Sequence, residues 1–241
     1  MTKSGPKILG HRGAPRRARE NTLEAFAAAR EEGADGVELD VHRTLDGVLV
    51  VHHDAEIEGF GVLAAHEFAA IQTAFPWMPT LGAVLDGCDG MLANIEIKNS
   101  PRDADFDPEE RAAVAVVELL ASRGRADDVI VSSFHLPSID RVHILNPSIP
   151  TGFLFVMRPS PLDALAAAIG GGHGAIHPFF GVLADQGAVS VVEAAHAAGV
   201  AVNTWTVNDL DEVTRLAAAG VDAIITDIPA VARTALAGML G

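Results

Sequence analysis

Short apolar runs alternate with Ala-rich amphipathic stretches along the whole chain. The first apolar run covers residues 7–10, and residues 22–32 then read as a helix. "ENTLEAF" supplies its start, with Asn21 as candidate N-cap and Glu24 three positions on, and Gly33 is a plausible stop. Two further runs, 36–41 and 48–52, flank Leu45-Asp46-Gly47, whose Asp-Gly pair signals a tight turn. Strands follow at 92–98, 129–134, 151–156, 174–178, 200–207 and 222–227. Helical stretches follow at 81–85, 108–123, 137–145, 161–169, 187–198, 210–219 and 230–240. The run 48–52 is an extra hairpin return at a rim, which leaves eight strands each followed by a helix. Eight such units in 241 residues predict a (β/α)8 TIM barrel, with a short capping segment at about 55–79 after the second strand. A doubly wound open sheet is the alternative. It normally has fewer strands, and no glycine-rich dinucleotide turn is present. No low-complexity linker divides the chain, so residues 1–241 read as one domain, with 100–108 a polar loop.

In a barrel the chemistry sits where strands end at their C-terminal side. Polar residues cluster there. The first strand runs into His11 and Arg12, the second carries Glu38 and Asp40, and the third carries Glu96 and Lys98. Glu38 and Asp40 are two apart, so both face the same side of the strand. Like charges on an inward face repel strongly, and a divalent cation is the simplest offset. All-oxygen ligands suit Mg²⁺, Ca²⁺ or Mn²⁺ better than zinc. Glu96 supplies a third carboxylate. The bland alternative is a structural cluster neutralised by Arg and Lys. His11 and His53 follow apolar runs beside these carboxylates and are the candidate acid and base. His52 alternates with His53 and faces away. His42, His66, His135, His143, His173 and His196 read as surface or packing residues, and His177 lies at a strand end without an assigned role.

Composition narrows the substrate. The formal charge is −15, which repels nucleic acid and anionic membranes. It would equally repel an anionic small molecule unless a metal or clustered Arg and Lys reverse the local field. Arg12 and Lys98 beside a metal do so and suit a phosphate ester, although these residues alone also accommodate a carboxylate or sulfate ester. Tyr is absent and aromatics make up 5%, which argues against a flat nucleic-acid platform. Cys88 is the only cysteine, so neither an intramolecular disulfide nor a Cys-based zinc motif can form. With no signal-peptide core and no membrane-length apolar run, the expectation is a cytoplasmic protein without stable membrane anchoring.

The ordered set "HRG", "ENTLEAF", "GADGVELDVHRTLDGVLVVHHD", "IEIK", "NTWTVND" and "GVDAIITDIP" resembles the glycerophosphodiester phosphodiesterase family from residue 10 to about 230. The resemblance implies a TIM barrel that hydrolyses glycerophosphodiesters to sn-glycerol 3-phosphate and an alcohol. It implies one divalent cation, Mg²⁺ or Ca²⁺, on Glu38, Asp40 and Glu96. It implies acid/base catalysis by His11 and His53, phosphate contacts from Arg12 and Lys98, and Trp205 lining the site. Two departures stand out. Arg19 replaces the usual Pro before "ENT", and the cap after the HD motif is short, which bears on the choice of alcohol. Two other readings are compatible: a lysophospholipase D-like enzyme forming a cyclic phosphate, and a non-catalytic phosphodiester-binding barrel. The cap offers Phe60, Phe68, Phe75 and Trp77 as a weak indication for lipid.

Overall fold

The computed structural model describes residues 5–125, 128–185 and 187–239. Eight parallel strands form its centre: β1 (Lys7–His11), β2 (Gly36–Arg43), β3 (Leu92–Ile97), β4 (Val129–Ser133), β5 (Thr151–Phe155), β6 (Ala175–Pro178), β7 (Ala201–Thr204) and β8 (Ala223–Thr226). They pair in chain order, and β1 pairs with both β8 and β2, so the sheet closes into a (β/α)8 barrel. The helices in the segments that connect and follow the strands are α1 (Leu23–Glu31), α2 (Phe68–Ala74), α3 (Leu81–Gly87), α4 (Arg111–Arg123) and α5 (Leu136–Leu145), followed by α6 (Pro161–Gly171), α7 (Phe180–Asp185), α8 (Ala188–Ala197), α9 (Leu210–Ala219) and α10 (Pro229–Met239).

Strand alternation sorts the side chains. Val37, Leu39 and Val41 of β2 and Ile95 and Ile97 of β3 pack outward in one buried cluster with Phe26, Leu81, Val84, Leu85, Val116 and Leu120. Burying each such side chain contributes about 1.5–3 kcal/mol, which offsets the cost of polar groups on the opposite face. Those polar groups, Glu38, Asp40, Asn94 and Glu96, alternate with the aliphatics and are also buried. The parallel register sets Glu38 beside Asn94 and Asp40 beside Glu96. The carboxylates are therefore neighbours across β2 and β3 as well as along β2.

The extra run is a short antiparallel strand, Leu49–Val51, paired to the end of β2 through the Asp46-Gly47 turn. It carries the chain back to His53. Residues 55–79 then form a two-stranded ribbon, a 3₁₀ turn and α2. Their aromatics are engaged: Phe60, Phe68, Phe75 and Trp77 pack on Leu63, Ile71 and Met78, and the Arg19 guanidinium lies 4.2 Å over the Trp77 ring. The cap thus consumes the aromatic residues that favoured a lipid-facing role.

Some expectations shift. The N-cap of α1 is Thr22, whose hydroxyl accepts from the Ala25 N–H, whereas Asn21 sits at φ +56° and turns its amide away. Helix α4 starts three residues later than expected, because residues 99–110 form an irregular loop pinned by Asn99 and Asp107. The seventh strand stops at Thr204, so Trp205 belongs to the following loop and is bridged to Phe179. Helices α2 and α7 have no counterpart in the sequence reading, and Leu240 lies outside the described residues. Cys88 is buried, which pushes its thiol up to about 11. Among the described residues, no helix is long and apolar enough to cross a membrane.

Candidate active site

The strand ends of β1, β2 and β3 and the start of the cap bring most of the expected residues around one cavity of about 60 Å³. Its lining includes His11, Arg12, Glu38, His53, Glu96, Lys98 and Trp205. Asp40 lies just behind, 1% exposed. A larger cavity, about 760 Å³, opens at the opposite mouth of the barrel. Its lining holds Lys7 and a His196–Asp222 pair at 2.9 Å but, among the described residues, no group of three acids like that at the other end, and chemistry in this architecture belongs to the C-terminal mouth.

The first loop is shaped by its glycine. Gly13 has φ +92°, and a Cβ there would stand 2.6 Å from the Ala25 backbone. The loop can therefore press onto α1, which turns the Arg12 backbone N–H onto Glu38 Oε2 at 3.1 Å. The Arg12 side chain spans two carboxylates, with Nε 3.2 Å from Asp40 Oδ2 and a terminal nitrogen 2.9 Å from Glu20.

Glu38, Asp40 and Glu96 each offer an oxygen, all within 4.8 Å of one another. At an effective dielectric of about 20, each such pair repels by at least about 3.5 kcal/mol. The offset is uneven. Lys98 Nζ lies 3.0 Å from Glu96 and 3.5 Å from Asp40, and the Asn21 amide donates to Asp40 at 2.8 Å. Burial alone would raise Asp40, but Lys98 and Arg12 outweigh it and hold its carboxyl below the usual range. Glu38 has no comparable partner, and burial followed by the Asp40 charge pushes it up to about 8. Burial also raises Glu96, against the pull of Lys98. Three buried oxygens in close array, one of them short of positive charge, suit a hard divalent cation such as Mg²⁺, Ca²⁺ or Mn²⁺. The alternative of full neutralisation by Arg and Lys leaves Glu38 uncompensated.

The two histidines are held differently. His11 Nδ1 bonds Asp227 Oδ1 at 2.7 Å, and its Nε2 approaches Glu38 at 4.0 Å. Burial would lower His11, but the Asp227 hydrogen bond and Glu38 raise it. His53 Nδ1 bonds Asp54 at 2.7 Å, and burial with the nearby Lys98 charge lowers it. Trp205 donates its indole N–H to the His177 carbonyl at 2.8 Å and meets Phe134 edge-on at 5.4 Å. His52 bonds to Asp54 backbone, away from the cavity, as its alternation with His53 implies.

Several participants were missed. Asp227, at the end of β8, buttresses His11 and is itself held by Asn208 at 2.6 Å. Asn21 fixes Asp40. Of the two readings for His42, surface or packing, the structure selects packing: it is buried, bonds Asp105 at 2.6 Å and reaches the His53 carbonyl at 3.1 Å. His177 is fully buried below the site and bonds Asn203 at 3.0 Å, and burial pushes it down to about 3, so it stays neutral.

The same fold and length recur among known proteins. A glycerophosphodiester phosphodiesterase of Caldanaerobacter subterraneus subsp. tengcongensis is 32% identical, covering 92% of this chain and 94% of its own. The crystal structure of a glycerophosphodiester phosphodiesterase from Thermotoga maritima superposes with a TM-score of 0.82 at 27% identity, over 96% of this chain and 98% of that one. A phosphodiesterase of Oleispira antarctica, solved with the product sn-glycerol-3-phosphate, gives 0.83 at 25% identity over 97% of each chain. The model of the glycerophosphoryl diester phosphodiesterase family matches residues 11–231, nearly end to end, and the chain belongs to that family.

Proposed function

We propose that this chain hydrolyses glycerophosphodiesters to sn-glycerol 3-phosphate and an alcohol, with a divalent cation on Glu38, Asp40 and Glu96 and with His11 and His53 as acid and base. We read residues 1–241 as one domain, with 55–79 as a short cap. The observation that carries the reading is the convergence of Glu38, Glu96, two histidines, Arg12 and Lys98 on one small cavity at the C-terminal mouth, with Asp40 directly behind the two carboxylates. The Oleispira antarctica phosphodiesterase, which binds sn-glycerol-3-phosphate, supports the choice of substrate.

When bound, the cation supplies charge screening and lowers the pKa of a hydroxyl it contacts. Arg12 and Lys98 stabilise negative charge growing on the phosphoryl oxygens. Asp227 and Asp54 each engage a histidine through Nδ1, leaving the two Nε2 atoms free for proton transfer. In the first step one histidine takes the proton of the glycerol 2-hydroxyl as its oxygen attacks phosphorus. The bond from phosphorus to the alcohol breaks, and the other histidine protonates the departing oxygen. Water then opens the cyclic phosphate with the two roles exchanged. Trp205 and Phe134 form the apolar wall against which the glycerol carbons rest.

The test is release of glycerol 3-phosphate from glycerophosphocholine by EDTA-stripped protein, with Mg²⁺, Ca²⁺ or Mn²⁺ restored singly. Cation-restored turnover is expected, with His11→Ala and His53→Ala each losing on the order of 10²–10⁴-fold. Tight cation binding without product would refute hydrolysis of this diester. Lysophospholipid as a parallel substrate then separates a lipid enzyme from a non-catalytic barrel.

A further inference from the structure

A further cavity, about 280 Å³, adjoins the active site between the ends of β3 and β4. It shares Glu96, Lys98 and Phe134 with the catalytic cavity and extends under the loop that follows β3, past Ser100 to Asp103. That loop, residues 99–110, carries five acids, and four of them are committed. Asp105 bonds His42 at 2.6 Å, and Asp107 holds Arg111 at 2.8 Å. Glu109 lies 3.6 Å from the same Arg111. Glu110 accepts from Asn99 and Ser138 and faces His135 at 3.2 Å. Asp103 is the remaining one. Among the described residues its Oδ2 accepts only the Ser100 backbone N–H and no cationic side chain pairs with it, and it is the loop acid that lines the cavity. Lys98, the one cation in the cavity wall, is already bound to Glu96 and Asp40. Phe134, 37% exposed, forms the partition between the two cavities.

Resting on the proposed phosphodiesterase reading, we propose that this cavity is the subsite for the departing alcohol and that it takes a positively charged head group, an ammonium on a short carbon chain, with Asp103 as its counter-charge. A carboxylate on one wall and an aromatic ring on another are the two features that hold an ammonium ion. The space exceeds what such a group needs, which leaves room for its hydration. Specificity for the alcohol then lies on the loop after β3 and not on the cap, whose aromatics are spent on their own packing. Because this charge lies away from the reacting phosphorus, it acts on the ground state and the transition state alike, and so on KM more than kcat.

The experiment compares Asp103→Asn with the wild-type protein on two diesters, glycerophosphoethanolamine and the uncharged-head-group glycerophosphoglycerol. The amide oxygen still accepts the Ser100 N–H, so the loop is retained, and turnover of the neutral diester monitors folding and chemistry. The variant is expected to lose about fivefold in kcat/KM on the ethanolamine diester, mainly through KM, with the glycerol diester unchanged. An unchanged ratio between the two substrates, whether both rates hold or both fall together, overturns the subsite. Failure of the wild-type protein on both diesters would instead overturn the phosphodiesterase reading on which it rests.

Discussion

Replacing Glu38 by Gln should stabilise the cation-free protein while destroying its use of a cation. Folding buries Glu38 beside Asp40 and raises its carboxyl from 4.5 to about 8. The unfolded chain ionises above 4.5, whereas the folded one keeps its proton, so stability falls as pH rises through that interval. At pH 7 the retained proton costs about 3 kcal/mol, and at pH 5 less than about 1 kcal/mol. Gln carries no charge at either pH, and its amide oxygen can still accept the Arg12 N–H that Glu38 accepts at 3.1 Å. In EDTA at pH 7, Glu38→Gln should therefore melt higher by about 6–12 °C for a chain of this size, with the gain shrinking to a few degrees at pH 5. Adding Mg²⁺ or Ca²⁺ at about 100 times its dissociation constant should raise the wild type by about 3 kcal/mol and the variant far less. The assay is thermal unfolding by circular dichroism at both pH values, with and without cation. A variant less stable than wild type in EDTA at pH 7, or a gain equal at pH 5 and pH 7, would refute the account of Glu38 as an uncompensated buried acid.

Asp227→Asn should lower kcat/KM by about 10–100-fold with an unchanged circular dichroism spectrum, because an amide cannot hold the His11 ring as the carboxylate does; near-full activity would remove Asp227 from the site. Gly152→Ala should destabilise by about 1–3 kcal/mol, since a Cβ there would stand 2.3 Å from His177 Nε2. Combining it with His177→Ala should return part of that loss in a double-mutant cycle, and strict additivity of the two would show that the clash is not the cause.

What the sequence disclosed depended on how local the signal was. The alternation of Val37, Leu39 and Val41 with Glu38 and Asp40 spoke within five residues and gave the first two inward carboxylates, whereas the barrel needed the count of eight strand–helix units along the whole chain. The same parity extends to His42, which stands on the face of Glu38 and Asp40, so of surface and packing the pattern favours packing, and what it does not report is the contact with Asp105 and His53. Asn21 misled in the opposite direction. An Asn before a helix is a sound N-cap, but here Asp40, nineteen positions away, recruits the amide and leaves the cap to Thr22. No local propensity reports a contact of that range. Asp227 meets His11 across 216 positions only because β8 closes on β1. Once closure is assumed, polar residues ending the last strand must stand beside those ending the first, and that was the available signal.

Closure also bears on how so acidic a chain admits an anionic diester. Around the cavity, Glu38, Asp40 and Glu96 oppose Arg12 and Lys98, and both cations are already spent on carboxylates. With all three acids ionised, this set is negative by one charge. With Glu38 protonated it is neutral, which is the state that burial favours below about pH 8. Neither state attracts a phosphodiester into a protein of formal charge −15. On the proposed reading, a divalent cation held by Glu38, Asp40 and Glu96 in place of the Glu38 proton would turn the same set positive by one. That charge matches the single negative charge of a diester. Arg12 and Lys98, now paired with these carboxylates, could then share their hydrogen bonds with phosphoryl oxygens. On that charge balance the diester is expected to bind only once a cation is held. The buried acids that looked like a burden on the fold are what makes the site's sign depend on the ion.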